Sequence, residues 1–211
     1  MTVPTPTGPA RVDLRWARTA APRWARTAAP RWAPQATGAL MLGHGAGGST
    51  SAPDLVAATS AAIAAGVHVA LVVQPYRVAG RRAPAPAGQL DAAWLAVAEH
   101  LVGGVFAGLP LIFGGRSSGA RVACRTAATG GAVAVLCLAF PVHPPGRPDR
   151  SRMGELDEVE VPVLVVQGER DPFGRPEPTA GRDVVLLPGD HSLKADPGAV
   201  GRAVAKWLTA R

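Results

Sequence analysis

Pro110-Leu111-Ile112-Phe113-Gly114-Gly115-Arg116-Ser117-Ser118-Gly119-Ala120-Arg121 decides how this chain is read. A short apolar run breaks into Gly115-Arg116-Ser117-Ser118-Gly119 and then enters a small-residue helical stretch. This is the sequence form of a nucleophile elbow, a sharp strand-to-helix turn that holds a serine hydroxyl exposed. Serine is a weak nucleophile unless it stands beside a base and an oxyanion hole. Glycine is needed on both flanks, because a side chain at Gly115 or Gly119 would collide with neighbouring backbone in so tight a turn. In a chain with 25 glycines the pentapeptide alone is weak, so the partners must come from the rest of the sequence.

They follow in the order the elbow requires. After the run Val163-Leu164-Val165-Val166-Gln167 comes Gly168-Glu169-Arg170-Asp171-Pro172, and after Val184-Val185-Leu186-Leu187 comes Pro188-Gly189-Asp190-His191-Ser192. Each candidate sits just past a predicted strand, and in a parallel sheet such ends share one edge, so Ser117, Asp171 and His191 can converge. Earlier, Ala39-Leu40-Met41-Leu42 runs into Gly43-His44-Gly45-Ala46-Gly47-Gly48. A glycine-rich turn after a strand presents free backbone N–H groups, as a developing oxyanion needs.

With these four segments the chain resembles an α/β-hydrolase. More narrowly it is similar to the small lidless hydrolase-like proteins related to dienelactone hydrolases and to testis-expressed and chromatin-complex relatives. The resemblance runs from Gly38 onward and implies a mostly parallel central sheet with helices on both faces and no lid domain. It implies Ser117 as nucleophile, His191 as general base and Asp171 as the acid that orients it. The backbone N–H groups of Ala46 and Ser118 are the implied oxyanion donors, with Gly45 or Gly47 as alternatives to Ala46. Ser118 is the competing hydroxyl, but the Gly-x-Ser-x-Gly frame selects Ser117. Glu169 and Asp190 compete with Asp171; Asp190 adjoins His191, and neighbouring residues normally point apart.

Composition bounds the rest. A chain of 211 residues, 47% hydrophobic, fits one compact domain. We divide it into residues 1–37, an N-terminal strand plus a repeat loop, and residues 38–211, the hydrolase core. The repeat is Arg15-Trp16-Ala17-Arg18-Thr19-Ala20-Ala21-Pro22, which recurs at Arg23 to Pro30 and begins again at Arg31-Trp32-Ala33-Pro34. Its recurring proline forbids a long helix. The formal charge of +7 comes from 22 basic residues scattered over loops and helices, so no nucleic-acid partner is expected. Cys124 and Cys137 fall in apolar segments and read as core residues of a reducing compartment. The first residues lack a secretory pattern and no apolar run spans a bilayer, so a cytoplasmic protein without a membrane partner is expected.

The predicted elements alternate: strands at 11–16, 38–42, 67–73, 111–113, 132–139, 163–167 and 184–187, helices at 53–65, 90–102, 118–128 and 199–208. Ser51 is expected near the N-cap of the first helix, and Pro75 to Gly88 is expected as a loop. His44, Tyr76, Arg77 and His143 are the candidate pocket residues; His44 is expected to shape the oxyanion loop through hydrogen bonds rather than act as the base, and a plain loop role is the equal alternative for His143. Tyr76, Arg77, Arg81 and Arg82 follow the second core strand; they read as a solvated basic loop, with attraction of an acidic ester as the alternative. His68 reads as a core histidine and His100 as a surface one. No histidine has metal-ligand spacing, and neither a metal nor another cofactor is expected. The expected partner is a small ester or thioester, and the sequence sets no oligomeric state. Two rivals remain: a dinucleotide site at Gly43 to Gly48, disfavoured because Gln74-Pro75 replaces the acidic residue such a site needs, and a non-catalytic hydrolase fold acting as a binding or scaffold module.

Overall fold

The computed structural model describes residues 1–17 and 36–210. Strands β3 (Gly38–Gly43), β4 (Val67–Val73), β5 (Leu111–Arg116), β6 (Ala134–Leu138), β7 (Val163–Gly168) and β8 (Arg182–Leu187) run parallel in the spatial order β4-β3-β5-β6-β7-β8. On the β4 side, β2 (Ala10–Arg15) and the short β1 (Thr2–Val3) extend the sheet antiparallel.

The near-continuous Val, Leu and Ile runs have a direct physical cause. Successive side chains of a strand point to opposite faces, and both faces of the central strands β3 to β7 are covered. Ala39, Met41, Phe113 and Val135 belong to the core shared with Trp94, Val97 and Leu101 of helix α3 (Ala87–Val102) and Val122 of α4 (Ser118–Thr126). Their neighbours Leu40, Leu42, Ile112 and Leu136 face Leu55 and Ala58 of α1 (Pro53–Ala64) and Val200 and Val204 of α6 (Pro197–Thr209). On the first face Trp94 meets Phe113 edge to face, with ring centroids 5.5 Å apart. An alternating polar face would have left half of these positions in water.

Several expected boundaries are corrected. Ser51 does not cap α1: the cap is Ala52, Pro53 fills the first helical position, and the Ser51 hydroxyl bonds that of Ser49 at 2.6 Å. Proline suits that position because its missing N–H would have been unsatisfied there anyway. The stretch Pro75 to Gly88 is not all loop, since Pro75 opens one helical turn, α2 (Pro75–Val78), and α3 begins at Ala87. Strand β5 continues through Gly114, Gly115 and Arg116, paired with Leu136, Cys137 and Leu138. Between β6 and β7 the chain holds only the short α5 (Met153–Asp157), which leaves no lid domain there.

Cys124 and Cys137 are buried free thiols with sulfurs 3.5 Å apart. His68 is buried and accepts from the Ala17 N–H at 3.1 Å, while His100 is exposed. Among the described residues no helix is long and apolar enough to cross a membrane. The repeat lies outside the described residues from position 18 to position 34.

Candidate active site

The turn after β5 is as tight as its glycines imply. A Cβ on Gly115 would lie 2.5 Å from the carbonyl carbon of Gly119 and 2.8 Å from the Gly43 oxygen, and one on Gly119 would lie 2.5 Å from the Gly43 oxygen. Both collisions are with backbone, which cannot swing aside. Gly115→Ala is therefore expected to destabilise by about 3 kcal/mol, roughly 10 °C in Tm; an unchanged melting curve would contradict this packing. Ser117 itself has φ 53° and ψ −111°, a conformation that costs a non-glycine residue about 1–3 kcal/mol. Such strain persists only where the surroundings impose it. Here the Ser117 N–H is held by the Leu138 carbonyl at 2.9 Å while helix α4 starts at Ser118.

The acid and the histidine come from loops that are tied to each other. Glu169 N–H bonds the Leu187 carbonyl, and Arg170 N–H bonds that of Gly189, both at 2.9 Å. Gly168 permits this closeness, since a Cβ there would stand 2.3 Å from the Asp190 carbonyl oxygen. The outcome is a continuous relay. His191 Nε2 lies 2.9 Å from Ser117 Oγ, and His191 Nδ1 lies 2.8 Å from Asp171 Oδ2. The buried Asp171 carboxylate also accepts from Phe173 N–H and from Gln167 Nε2, each at 2.8 Å. Phe173 packs edge to face on the imidazole at 4.4 Å. Asp190 turns away, and its Oδ1 accepts from the Ser192 N–H and hydroxyl.

Arg116, at the variable position of the elbow, locks the histidine loop from the other side. Its Nε donates to Asp54 Oδ2 at 3.0 Å and its Nη2 to the His191 carbonyl at 3.1 Å. Burial pushes the Asp54 carboxyl above its usual range, and the Arg116 guanidinium opposes that push.

The loop after β3 stands directly against the elbow, with the Cβ position of Gly45 3.6 Å from Ser117 Cβ. Its Gly45 carbonyl accepts from His44 Nδ1 at 2.7 Å and from Gly48 N–H at 3.1 Å. A trans peptide points its N–H opposite its carbonyl, so pinning the Gly45 oxygen also aims the N–H of Ala46. The Tyr76 hydroxyl holds the next carbonyl, that of Ala46. The N–H of Ser118 is the first of α4, where an α-helix offers no internal acceptor.

Residues 36–200 match the model of a protein family described as alpha/beta hydrolase domain. The chain belongs to that family. No curated protein matches the sequence, but solved structures share the hydrolase fold. One is described as an a/b serine hydrolase without lid from Xanthomonas campestris: 23% identity, 100% of this chain and 95% of that one covered, TM-score 0.69. A second is dienelactone hydrolase from Anabaena variabilis, at 17% identity, covering 100% and 95%, TM-score 0.72. A third is Est1E from Butyrivibrio proteoclasticus with ferulic acid bound, at 15% identity, covering 100% and 98%, TM-score 0.76.

In this hydrolase fold a cleft of about 350 Å³ opens over Ser117 and His191, and Ala46 and Ser118 line it. None of the four pocket residues expected from sequence is among the residues that line this cleft, while His44 braces the loop after β3, as expected of it. His44 and Tyr76 are buried beneath the loop that they brace. Arg77 folds back onto the Arg81 carbonyl at 3.0 Å, because the helical turn α2 brings the two together. His143 donates from Nδ1 to the Pro144 carbonyl at 3.0 Å. The cleft walls instead include Arg116, Arg121, Arg152 and Phe173.

His44 also gives the stability of this fold a pH dependence. Its Nδ1–H donates to Gly45, so Nε2 must be the bare nitrogen that accepts from Gln74 N–H at 3.1 Å. Burial, aided by Arg77 and opposed by the Gly45 bond, lowers its pKa from the ordinary 6.5. The folded state thus favours neutral His44, and the unfolded chain binds a proton more readily. That contribution to stability is complete above about pH 6.5 and is lost as pH falls through the lowered value. Between pH 7.5 and 5 the Tm of the native protein should fall more steeply than that of His44→Gln; equal slopes would contradict the assignment.

Proposed function

We propose that this protein is a serine hydrolase that cleaves a small ester or thioester through an acyl-enzyme. The observation that carries the reading is the relay of 2.9 and 2.8 Å from Ser117 Oγ through His191 to Asp171. Nucleophile, base and orienting acid must stand in just such contact.

In this reading His191 Nε2 takes the Ser117 proton as Oγ bonds the carbonyl carbon. The imidazolium that forms is held by the Asp171 carboxylate, and the N–H groups of Ala46 and Ser118 meet the charge on the tetrahedral oxygen. His191 then gives its proton to the departing alcohol or thiol, leaving an acyl group on Ser117. Water, deprotonated by the same imidazole, attacks the acyl carbon, releases the carboxylic acid and restores the serine.

A short connection between β6 and β7 and a cleft of about 350 Å³ suit a small substrate. Among the structural neighbours, one holds bound ferulic acid and another is a dienelactone hydrolase, which supports a small substrate. Steady-state turnover of 4-nitrophenyl acetate and of an acetyl thioester by the purified protein tests the reading. Saturable hydrolysis well above the buffer rate is expected, and no turnover of either by folded protein would favour a binding module.

A further inference from the structure

The arginines that line the cleft are not equally answered by acids. Arg116 is paired with Asp54. Arg121 forks onto Glu155, Nε to Oε2 at 2.7 Å and Nη2 to Oε1 at 2.5 Å. Arg125, on the same helix, closes on both oxygens of Asp91 at 2.9 and 2.6 Å and reaches Glu155 Oε2 at 3.2 Å. Every carboxylate oxygen of Asp91 and Glu155 therefore already accepts from a guanidinium of α4.

Arg152 is the third cation of this group, and no carboxylate among the described residues pairs with it. It lines the cleft together with Ser117 and His191, and it is half-buried. Its backbone is fixed, because its N–H donates to the Val142 carbonyl at 2.7 Å. Partial burial and the repulsion of Arg121 and Arg125, offset in part by Glu155, hold its pKa below the ordinary arginine value, although a guanidinium stays charged in proteins. A partly desolvated cation with net positive charge left over at the cleft wall offers an anion a favourable partner.

We propose that Arg152 is a specificity residue that binds a carboxylate carried by the substrate, so that the preferred substrate is a small carboxylate-bearing ester or thioester. This rests on the hydrolase reading given above. A planar guanidinium with free donors matches one carboxylate in a forked, charge-assisted contact.

The test uses two substrate pairs: 4-nitrophenyl acetate against 4-nitrophenyl hemisuccinate, with the carboxylate on the acyl side, and phenyl acetate against 4-acetoxybenzoate, with it on the leaving group. In at least one pair the anionic member should have the higher kcat/KM, and Arg152→Gln should lower the anionic-to-neutral ratio about 10- to 100-fold. Arg152→Lys, which keeps charge without the fork, should recover part of it. Arg152→Gln should also melt no lower than the native protein, because it relieves repulsion; a clear fall in Tm would mark Arg152 as structural and overturn the proposal.

Calorimetric binding of monomethyl glutarate to Ser117→Ala, with and without Arg152→Gln, separates the two readings. Arg152-dependent binding without any hydrolysis would sink the hydrolase reading and leave the anion site standing. Hydrolysis of neutral esters, with both ratios unmoved by Arg152→Gln and no Arg152-dependent binding, would overturn the anion site and leave the hydrolase.

Discussion

Ser117→Ala is expected to lower kcat for ester hydrolysis by about 10⁶-fold, with a melting curve close to that of the native protein. Among the described residues the Ser117 hydroxyl is bonded to His191 alone, and its loss disturbs neither the N–H bond to Leu138 nor the start of α4. Strain at φ 53° is the same for alanine as for serine. The variant therefore removes the attacking oxygen without removing the turn. Rates of product release under saturating 4-nitrophenyl acetate give the comparison, and near-native turnover would exclude Ser117 as the nucleophile.

Asp171→Asn should lower kcat about 10⁴-fold, with little change in fold. The aspartate works as an acceptor only: it receives the His191 Nδ1–H, the Phe173 N–H and a Gln167 amide hydrogen. An asparagine must turn its NH₂ toward one of these donors. Turned toward His191, it makes Nδ1 the acceptor and moves the proton to Nε2, where the imidazole can no longer take one from Ser117. Turned the other way, it confronts the Phe173 N–H. A loss smaller than about tenfold would mean that another group orients the imidazole.

The sequence reading reached the sheet because its signal is local. Val, Leu and Ile runs such as Val67 to Val73 require burial on both faces, and the cores on the two sides of β3 and β5 supply it. The convergence of Ser117, Asp171 and His191 was legible for the same reason, each residue being marked by glycines just past a strand. The strand β5 was harder to delimit, because Gly114-Gly115-Arg116 looks like a break although it is still paired with β6. Short α2 and α5 carry too few residues for a helical period.

The cleft walls were the least legible part. Arg121 had a signal, since it lies four residues after Ser117 at the start of α4 and so near the same face. Arg116 occupied the variable position of the elbow, but its partners Asp54 and His191 are 62 and 75 residues away. Arg152 had no local signal: its meaning comes from Glu155 and Asp91 being taken by arginines of α4. Tyr76 and Arg77, expected at the pocket, are not among the residues lining this cleft for a related reason. Pro75 turns the chain into α2, which carries Arg77 back on itself and sends Tyr76 inward to hold the Ala46 carbonyl.

The most direct measurement is covalent labelling with a fluorophosphonate, which needs an activated serine beside an oxyanion hole and little substrate specificity. Intact mass followed by peptide mapping should show a single adduct, on Ser117, that disappears in Ser117→Ala. A folded, unlabelled protein, or an adduct on Ser118 in place of Ser117, would contradict the account.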